Sequence, residues 1–480
     1  TSSTNSMTNN QLISRLLNGI AIATIAACSE IDPLGPDTIV PPGSATITTD
    51  ITSNRLFKAE TTYTISGFIK VANGATLTIE PGTKIVGDFD VPGSSLFVLR
   101  GAKINAVGTA DKPIVFTSER SSGRQAGDWG GLIIVGRGLI NRADPTILEG
   151  TGTNAQTNPQ VNYGGGTDNT DNSGSLSYVR VEFAGYATAT DQELNSFTFA
   201  AVGSGTQLSF LQSLYGLDDS FEWFGGAVDA RYLVSYEAGD DHFDASEGYT
   251  GRNQFLVAFQ SVRPDARAAA GSPSSDPQGI ENDGCNGANC LAGQNSLPRT
   301  DAMFANFTLV GTGTGVVDAT SGGIGIMLRR GSGGYYLNGV IARWPRAAIS
   351  LRDQTTLDRV ADGSLVIRNL YLAENGPTFQ AASGTTVQGT VDVAANNVEV
   401  ATAATTAASI FTGLPAAPSS AAVLDWSLVA GNAARSAGTG ALTGAAATKA
   451  GAFVTGTTYR GAADPSGAKW WTGWTNYARN

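Results

Sequence analysis

Residues 75–87 read ATLTIEPGTKIVG, and residues 94–108 read SSLFVLRGAKINAVG. Each begins with alternating apolar residues, turns at a glycine and resumes as a second short apolar stretch. Alternation with period two is the signature of a strand with one buried face. Leu77 aligns with Phe97 and Ile79 with Leu99 at a shift of 20 residues, and GTKI at 82–85 aligns with GAKI at 101–104 at a shift of 19. The same kind of unit recurs along the chain. PIVFTS (113–118), WGGLIIVG (129–136), LSYVRVEFAG (176–185), TQLSFLQSLYG (206–216), ARYLVSYEAG (230–239) and NQFLVAFQSV (253–262) lead on to ANFTLVG (305–311), GIGIMLRRG (323–331), YYLNGVIARW (335–344) and GSLVIRNLYLA (363–373). A period near 20 built from strands and tight turns predicts a solenoid. Leucine-rich repeats need regular Leu and Asn positions, which are missing, and propeller blades need periods nearer 40. The expected fold is all-β, a right-handed parallel β-helix.

Composition agrees. The 480 residues include 60 glycines, and only 15% are charged. A net charge of −11 with no Lys/Arg cluster argues against nucleic acid as a partner. One His and three Cys supply zinc chemistry and Ser-His-Asp or Cys-His catalysis poorly.

Expected boundaries follow from composition shifts. From Met7 the chain reads MTNNQLISRLLNGIAIATIAACSE, with Arg15 before a short apolar run at 16–27. That is a signal-peptide pattern, and Ile25-Ala26-Ala27-Cys28 resembles a bacterial lipobox in which Cys28 carries the lipid. Ser29, rather than Asp, at the next position implies delivery to the outer membrane. Residues 1–27 are therefore expected as signal peptide and 28–50, rich in Pro, Asp and Thr, as a tether. The β-helix is expected over 51–375, and terminal coils with an Ala/Thr-rich segment and a Trp-rich cap over 376–480. Two polar stretches, 145–175 and 263–300, read as loop excursions, and insertions in solenoids gather on one face. The second holds Cys285 and Cys290, expected as a structural disulfide in an exported chain.

Residues 217–248, LDDSFEWFGGAVDARYLVSYEAGDDHFDASEG, hold nine carboxylates. DDSFE at 218–222 returns as DDHFD at 240–244, a shift of 22. If that shift is one coil, Phe221 stacks on Phe243 and Glu222 on Asp244. Stacked like charges need a remedy, and three are open. Aspartates can cap turn N–H groups. Asp218, Asp219, Asp240, Asp241, Asp244 and Glu247 can hold Ca²⁺, which takes oxygen ligands. Paired carboxylates can also do acid–base work on a glycosidic bond, with Glu222, Asp244, Arg252 and His242 as candidate catalytic residues. Trp223, Glu281 and Asp283 are candidate binding residues.

TLTIEPGTKIVGD, GAKINAVGTADKPIVFTS, GDWGGLIIVGRGLIN, LSYVRVEFAG, LDDSFEWFGG and the closing WWTGWTNY resemble a family of exported bacterial parallel β-helix proteins, described mostly as lipoproteins or surface proteins. The resemblance runs from about residue 50 to the end. It implies a fold like that of pectate lyases and an address at the outer membrane or surface of a Gram-negative bacterium, with the membrane reached by the lipid alone. It implies no established activity. Three functions remain open at this point. One is a non-enzymatic binding module for an envelope protein, an outer-membrane transporter or a polysaccharide. The others are a polysaccharide lyase or glycoside hydrolase, and a structural surface-layer or adhesin module.

Overall fold

The structure, a computed structural model, describes residues 43–317, 322–414 and 424–480. The signal peptide, Cys28 and the tether up to residue 42 lie outside the described residues. Ser44–Ile47, inside the stretch read as tether, pairs in parallel with Thr62–Ile65, so the sheet begins there.

Two parallel sheets of 15 and 9 strands together form a parallel β-helix, and Phe411–Gly413 pairs separately with Asp425–Leu428 as an antiparallel two-stranded sheet. The first coils have three strands each. Arg55–Phe57, Thr76–Ile79 and Lys103–Val107 stack on one face, and Thr62–Ile65, Lys84–Gly87 and Ile114–Ser118 on the next. Phe68–Val71, Ser95–Val98 and Gly131–Val135 stack on the third. The first two rows then merge. Gly174–Glu182 pairs with Lys103–Val107 through Ser175↔Asn105 and with Ile114–Ser118 through Val179↔Ile114. Between the two halves Tyr178 adopts a left-handed backbone, φ 52°. That single residue turns the corner between faces.

Every later coil repeats the corner. Register places Phe210, Tyr232, Phe255, Asn306, Asn338, Asn369 and Asn397 successively over Tyr178. All have positive φ, between 49° and 64°. A side chain at positive φ is strained, and asparagine tolerates it best because its amide can bond locally. Here the stacking neighbours compensate. Tyr178, Phe210 and Tyr232 stack at successive centroid distances of 4.4 Å, and Asn397 donates to Asn369 Oδ1 at 2.9 Å.

The register corrects the expected period in the N-terminal coils. Leu77 pairs with Ile104 and Phe97 with Lys70, both 27 residues away. GTKI and GAKI belong to different faces, since Lys84–Gly87 pairs with Ile114–Ser118. The aligned motifs are alike because each follows a glycine turn, and each coil has several such turns.

The interior is a continuous apolar column. Phe197, Phe221 and Phe243 stack at 4.9 and 5.5 Å. Residues 424–480 lie along the flank of the first sheet as a strap that crosses several coils. Asn476 meets Gln212, Thr455 meets Gln254 and Gly461 meets Asn338. Trp471 and Trp474 are buried within it. The aromatic cap thus closes the side of the helix.

Candidate functional site: an acidic wall on the second sheet

Phe221–Phe224 and Phe243–Ser246 pair with Phe221 opposite Phe243 and Glu222 opposite Asp244, so the 22-residue shift is one coil. The next strand, Gln278–Asp283, places Glu281 opposite Asp244. Strand alternation sends the phenylalanines inward and stacks Glu222, Asp244 and Glu281 on the outer face. This part of the second excursion is therefore the following coil of the helix.

The corner before these strands uses one aspartate from each pentad as a cap. Asn195 Oδ1 accepts from Asp219 N at 3.2 Å, Asp219 Oδ1 from Asp241 N at 2.8 Å, and Asp241 Oδ1 from Gln278 N at 2.6 Å. Gln278 Oε1 then accepts from Ile324 N at 2.8 Å. Each side chain supplies an acceptor to a backbone N–H of the following coil.

The remaining charge is concentrated. Three overlapping groups form: Asp218, Asp219 and Asp240; Asp219, Glu222 and Asp244; and Asp241, Asp244 and Glu281. Within each group one oxygen per residue lies within 4.8 Å of the others. Asp219 and Asp244 are each shared by two groups, and Asp244 Oδ1 is buried without a hydrogen-bond partner. Burial first, and neighbouring carboxylates second, push these groups toward the protonated form. Asp240 rises to about 7, and Glu281 to about 8. Asp218, Asp219, Glu222, Asp241 and Asp244 are all held well above the carboxylate range. On the C-terminal side Arg329 pairs with Glu281 and, at 2.7 Å, with Asp283, which also takes Arg330.

A family model described as a pectate-lyase like beta helix domain matches residues 49–426. The chain belongs to this family. Nothing among curated proteins or solved structures matches it. Membership in the pectate-lyase-like β-helix family accounts for the scaffold, while chemistry has to be argued from the side chains.

Those side chains sort the candidate residues. Asp218, Asp219, Glu222, Asp240, Asp241, Asp244 and Glu281 come together in the wall. Glu247 does not join the three groups; it pairs with Arg142 Nε at 2.5 Å and accepts from the Tyr163 hydroxyl. Arg252 lies on the first sheet, where its Nε donates to Asp229 at 2.9 Å, so it does not face the wall acids. His242 is fully buried, with Nδ1 2.5 Å from Ser235 Oγ, and burial pushes its pKa down to about 3. It is a neutral core residue with no path to a substrate proton. Trp223 is also fully buried, 5.9 Å from Phe199 and 5.5 Å from Tyr249, and has no free face for a sugar. Cys285 and Cys290 form a disulfide with Cα atoms 5.9 Å apart.

Sequence reasoning missed Glu149 and Glu193. Glu149 rises to about 7 through burial first and the Glu193 charge second, and it also raises Asp218 and Glu222. It comes from the first excursion, whose Leu148, Val161 and Tyr163 pack outside the second sheet against Phe224. The available signal was TILEG at 146–150, where one acid sits among apolar residues in a polar loop.

Proposed function

We propose that this protein is a lipid-anchored cell-surface β-helix that acts as a non-enzymatic binding module, with calcium held in its acidic wall. The anchor and address rest on the signal-like run ending at Cys28. The observation that carries the calcium reading is the stack of Glu222, Asp244 and Glu281 beside the aspartate corner, with Asp244 Oδ1 buried and unmet. Calcium takes several carboxylate oxygens at once, and the all-oxygen donor set suits it better than a softer metal. The binding reading is favoured because Arg252 and His242, which a lyase or hydrolase reading would use, face away from the wall. The long excursions then serve as the presenting surface for an envelope protein, an outer-membrane transporter or a glycan.

Thermal unfolding with excess EDTA and with added Ca²⁺ tests the metal. A ligand of the folded state stabilises by RT ln(1 + [L]/Kd), about 2.7 kcal/mol at a hundredfold excess over Kd. The wild type is expected to melt several degrees higher with Ca²⁺, and Glu222→Gln/Asp244→Asn, which alters both groups that contain Asp244, is expected to lose most of that gain. Identical melting in EDTA and Ca²⁺ would remove the metal from this reading.

A polysaccharide hydrolase or lyase is the second reading, favoured by one observation. Asp240 near 7 and Glu281 near 8 could act as acids at neutral pH. It requires turnover on a panel of acidic and neutral polysaccharides with Ca²⁺ present, abolished by Asp240→Asn. A panel without turnover would end it.

A further inference from the structure

The outer face of the second sheet changes sign one coil beyond the wall. Arg329 and Arg330 are taken by Glu281 and Asp283. Arg346 and Arg352, at the last strand, Ala347–Leu351, are partly accessible. Among the described residues neither has a carboxylate within ion-pair distance; Asp276 stands nearby, but its carboxylate takes a 2.6 Å hydrogen bond from Gln278 Nε2. Arg352 reaches only neutral oxygens at long range, Ser350 Oγ at 3.2 Å and Gln380 Oε1 at 3.3 Å. Ser350 Oγ in turn donates to Gln388 Oε1 at 3.1 Å, and Gln388 Nε2 is left buried with no acceptor. Burial first, and then the charge of Arg329, lower the Arg352 pKa; the Asp276 and Glu281 carboxylates oppose this, and Arg346 adds to the lowering. Arg352 and the unmet Gln388 amide therefore lie on either side of Ser350 Oγ, and Arg346 is near enough to act on the same Asp276 carboxylate as Arg352. A buried donor left unpaired costs more than an ordinary hydrogen bond contributes.

We propose that Arg346, Arg352 and the Gln388 amide form a binding site for an oxyanion, a sulfate or carboxylate group carried by a ligand. Guanidinium forks match such groups in geometry as well as in charge, and Gln388 Nε2 adds a fixed neutral donor. The site goes beyond the calcium reading and does not depend on it.

The test is calorimetric titration and thermal unfolding of the full protein with sodium sulfate and, separately, sodium acetate. Sodium chloride at matched ionic strength is the reference. Sulfate stabilises folded proteins in general by exclusion from their surfaces. The decisive quantity is therefore the difference between the wild type and Arg346→Gln/Arg352→Gln. The wild type is expected to give a binding isotherm that weakens roughly tenfold or more in the double variant, the equivalent of one charge-assisted hydrogen bond. Arg352→Lys keeps the charge, loses the fork and is expected to fall between the two. A response to sulfate alone assigns a tetrahedral oxyanion, and a response to acetate alone assigns a carboxylate. Equal responses in wild type and double variant, or no isotherm with either salt, overturn the proposal. Both arginines are partly accessible, and an unchanged melting temperature of the variants in sodium chloride shows that the fold is intact.

Discussion

The two sheets share one helical column, yet their outer faces are finished in opposite ways. On the first sheet, the C-terminal strap meets the strands residue by residue. Gln212 Nε2 donates to Asn476 O at 2.6 Å and Gln254 Nε2 to Thr455 O at 2.7 Å. Buried charges there are matched: Asp229 by Arg252, and Glu237 by Arg479 at 2.5 Å. On the second sheet, like charges are stacked on like charges, coil after coil. Inside the column the two sheets follow one rule, apolar residues pointing inward. The outward positions are free to differ, and they separate a face closed by the chain itself from a face where stacked carboxylates meet the chain's own cations only at the C-terminal end. On the proposed binding reading, stability and binding then fall to different sheets of one column.

If the strap is structural, breaking it gives the largest effects. Trp474 is fully buried and meets Tyr178 edge-on at 5.8 Å and Phe210 at 6.1 Å. Trp474→Ala is expected to cost about 3–5 kcal/mol in urea unfolding, as for other large aromatic-to-alanine changes in a core. A loss under about 1 kcal/mol would make the strap peripheral and erase the contrast. Arg479→Ala removes the cation beside Glu237, which is itself fully buried. Removing one partner of a buried pair typically costs about 3–5 kcal/mol. Here about 2–3 kcal/mol is expected by the same measurement, because the Ser261 and Val262 N–H groups still donate to Glu237.

The reach of the sequence follows from the same geometry. The acidic pentads were legible because both copies span the same corner and strand, so the shift of 22 equals one coil. The N-terminal period near 20 was not, because GTKI and GAKI sit on different faces of three-sided coils. Alternation gives which residues point inward but not which strand they pair with. The left-handed corner was half legible. Asn306, Asn338, Asn369 and Asn397 are the residue type such a corner prefers, whereas Tyr178, Phe210, Tyr232 and Phe255 hold it through stacking. Side-chain direction also hid the fates of Trp223 and His242, since an outward aromatic and an inward one look alike in the chain. Arg252 sat close to the acids in sequence and turned out to be on the other sheet, because neighbouring strands of one coil belong to different faces.

The smallest effect, and the most discriminating, concerns the wall in the absence of metal. Its carboxylates titrate near 4 when unfolded. In the folded chain Asp240 and Glu149 rise to about 7 and Glu281 to about 8. Between these limits the folded state keeps protons that the unfolded state has lost. The corresponding stability is therefore complete below about pH 4 and falls as pH rises toward 8. In EDTA the loss between pH 5 and pH 8 is expected to be at least about 1–2 kcal/mol, since one such group alone loses about 1.4 kcal/mol per pH unit between its unfolded and folded pKa. Calcium should reverse the trend, because its ligands must be deprotonated. Asp244→Asn then separates repulsion from capping. At pH 8 in EDTA the change removes one of several stacked like charges and is expected to stabilise by about 1 kcal/mol. In Ca²⁺ it removes a carboxylate shared by two of the three groups and is expected to destabilise. The same substitution thus acts with opposite signs in the two buffers. A capping role alone would give little change in either buffer, since Asn keeps an Oδ1 acceptor, as Asn195 does in the same ladder. Opposite signs for Asp244→Asn, beside a loss in both buffers for Asp241→Ala, which removes the acceptor for Gln278 N, would divide the pentads into the aspartates that hold the coil together and the carboxylates that leave it open to a cation.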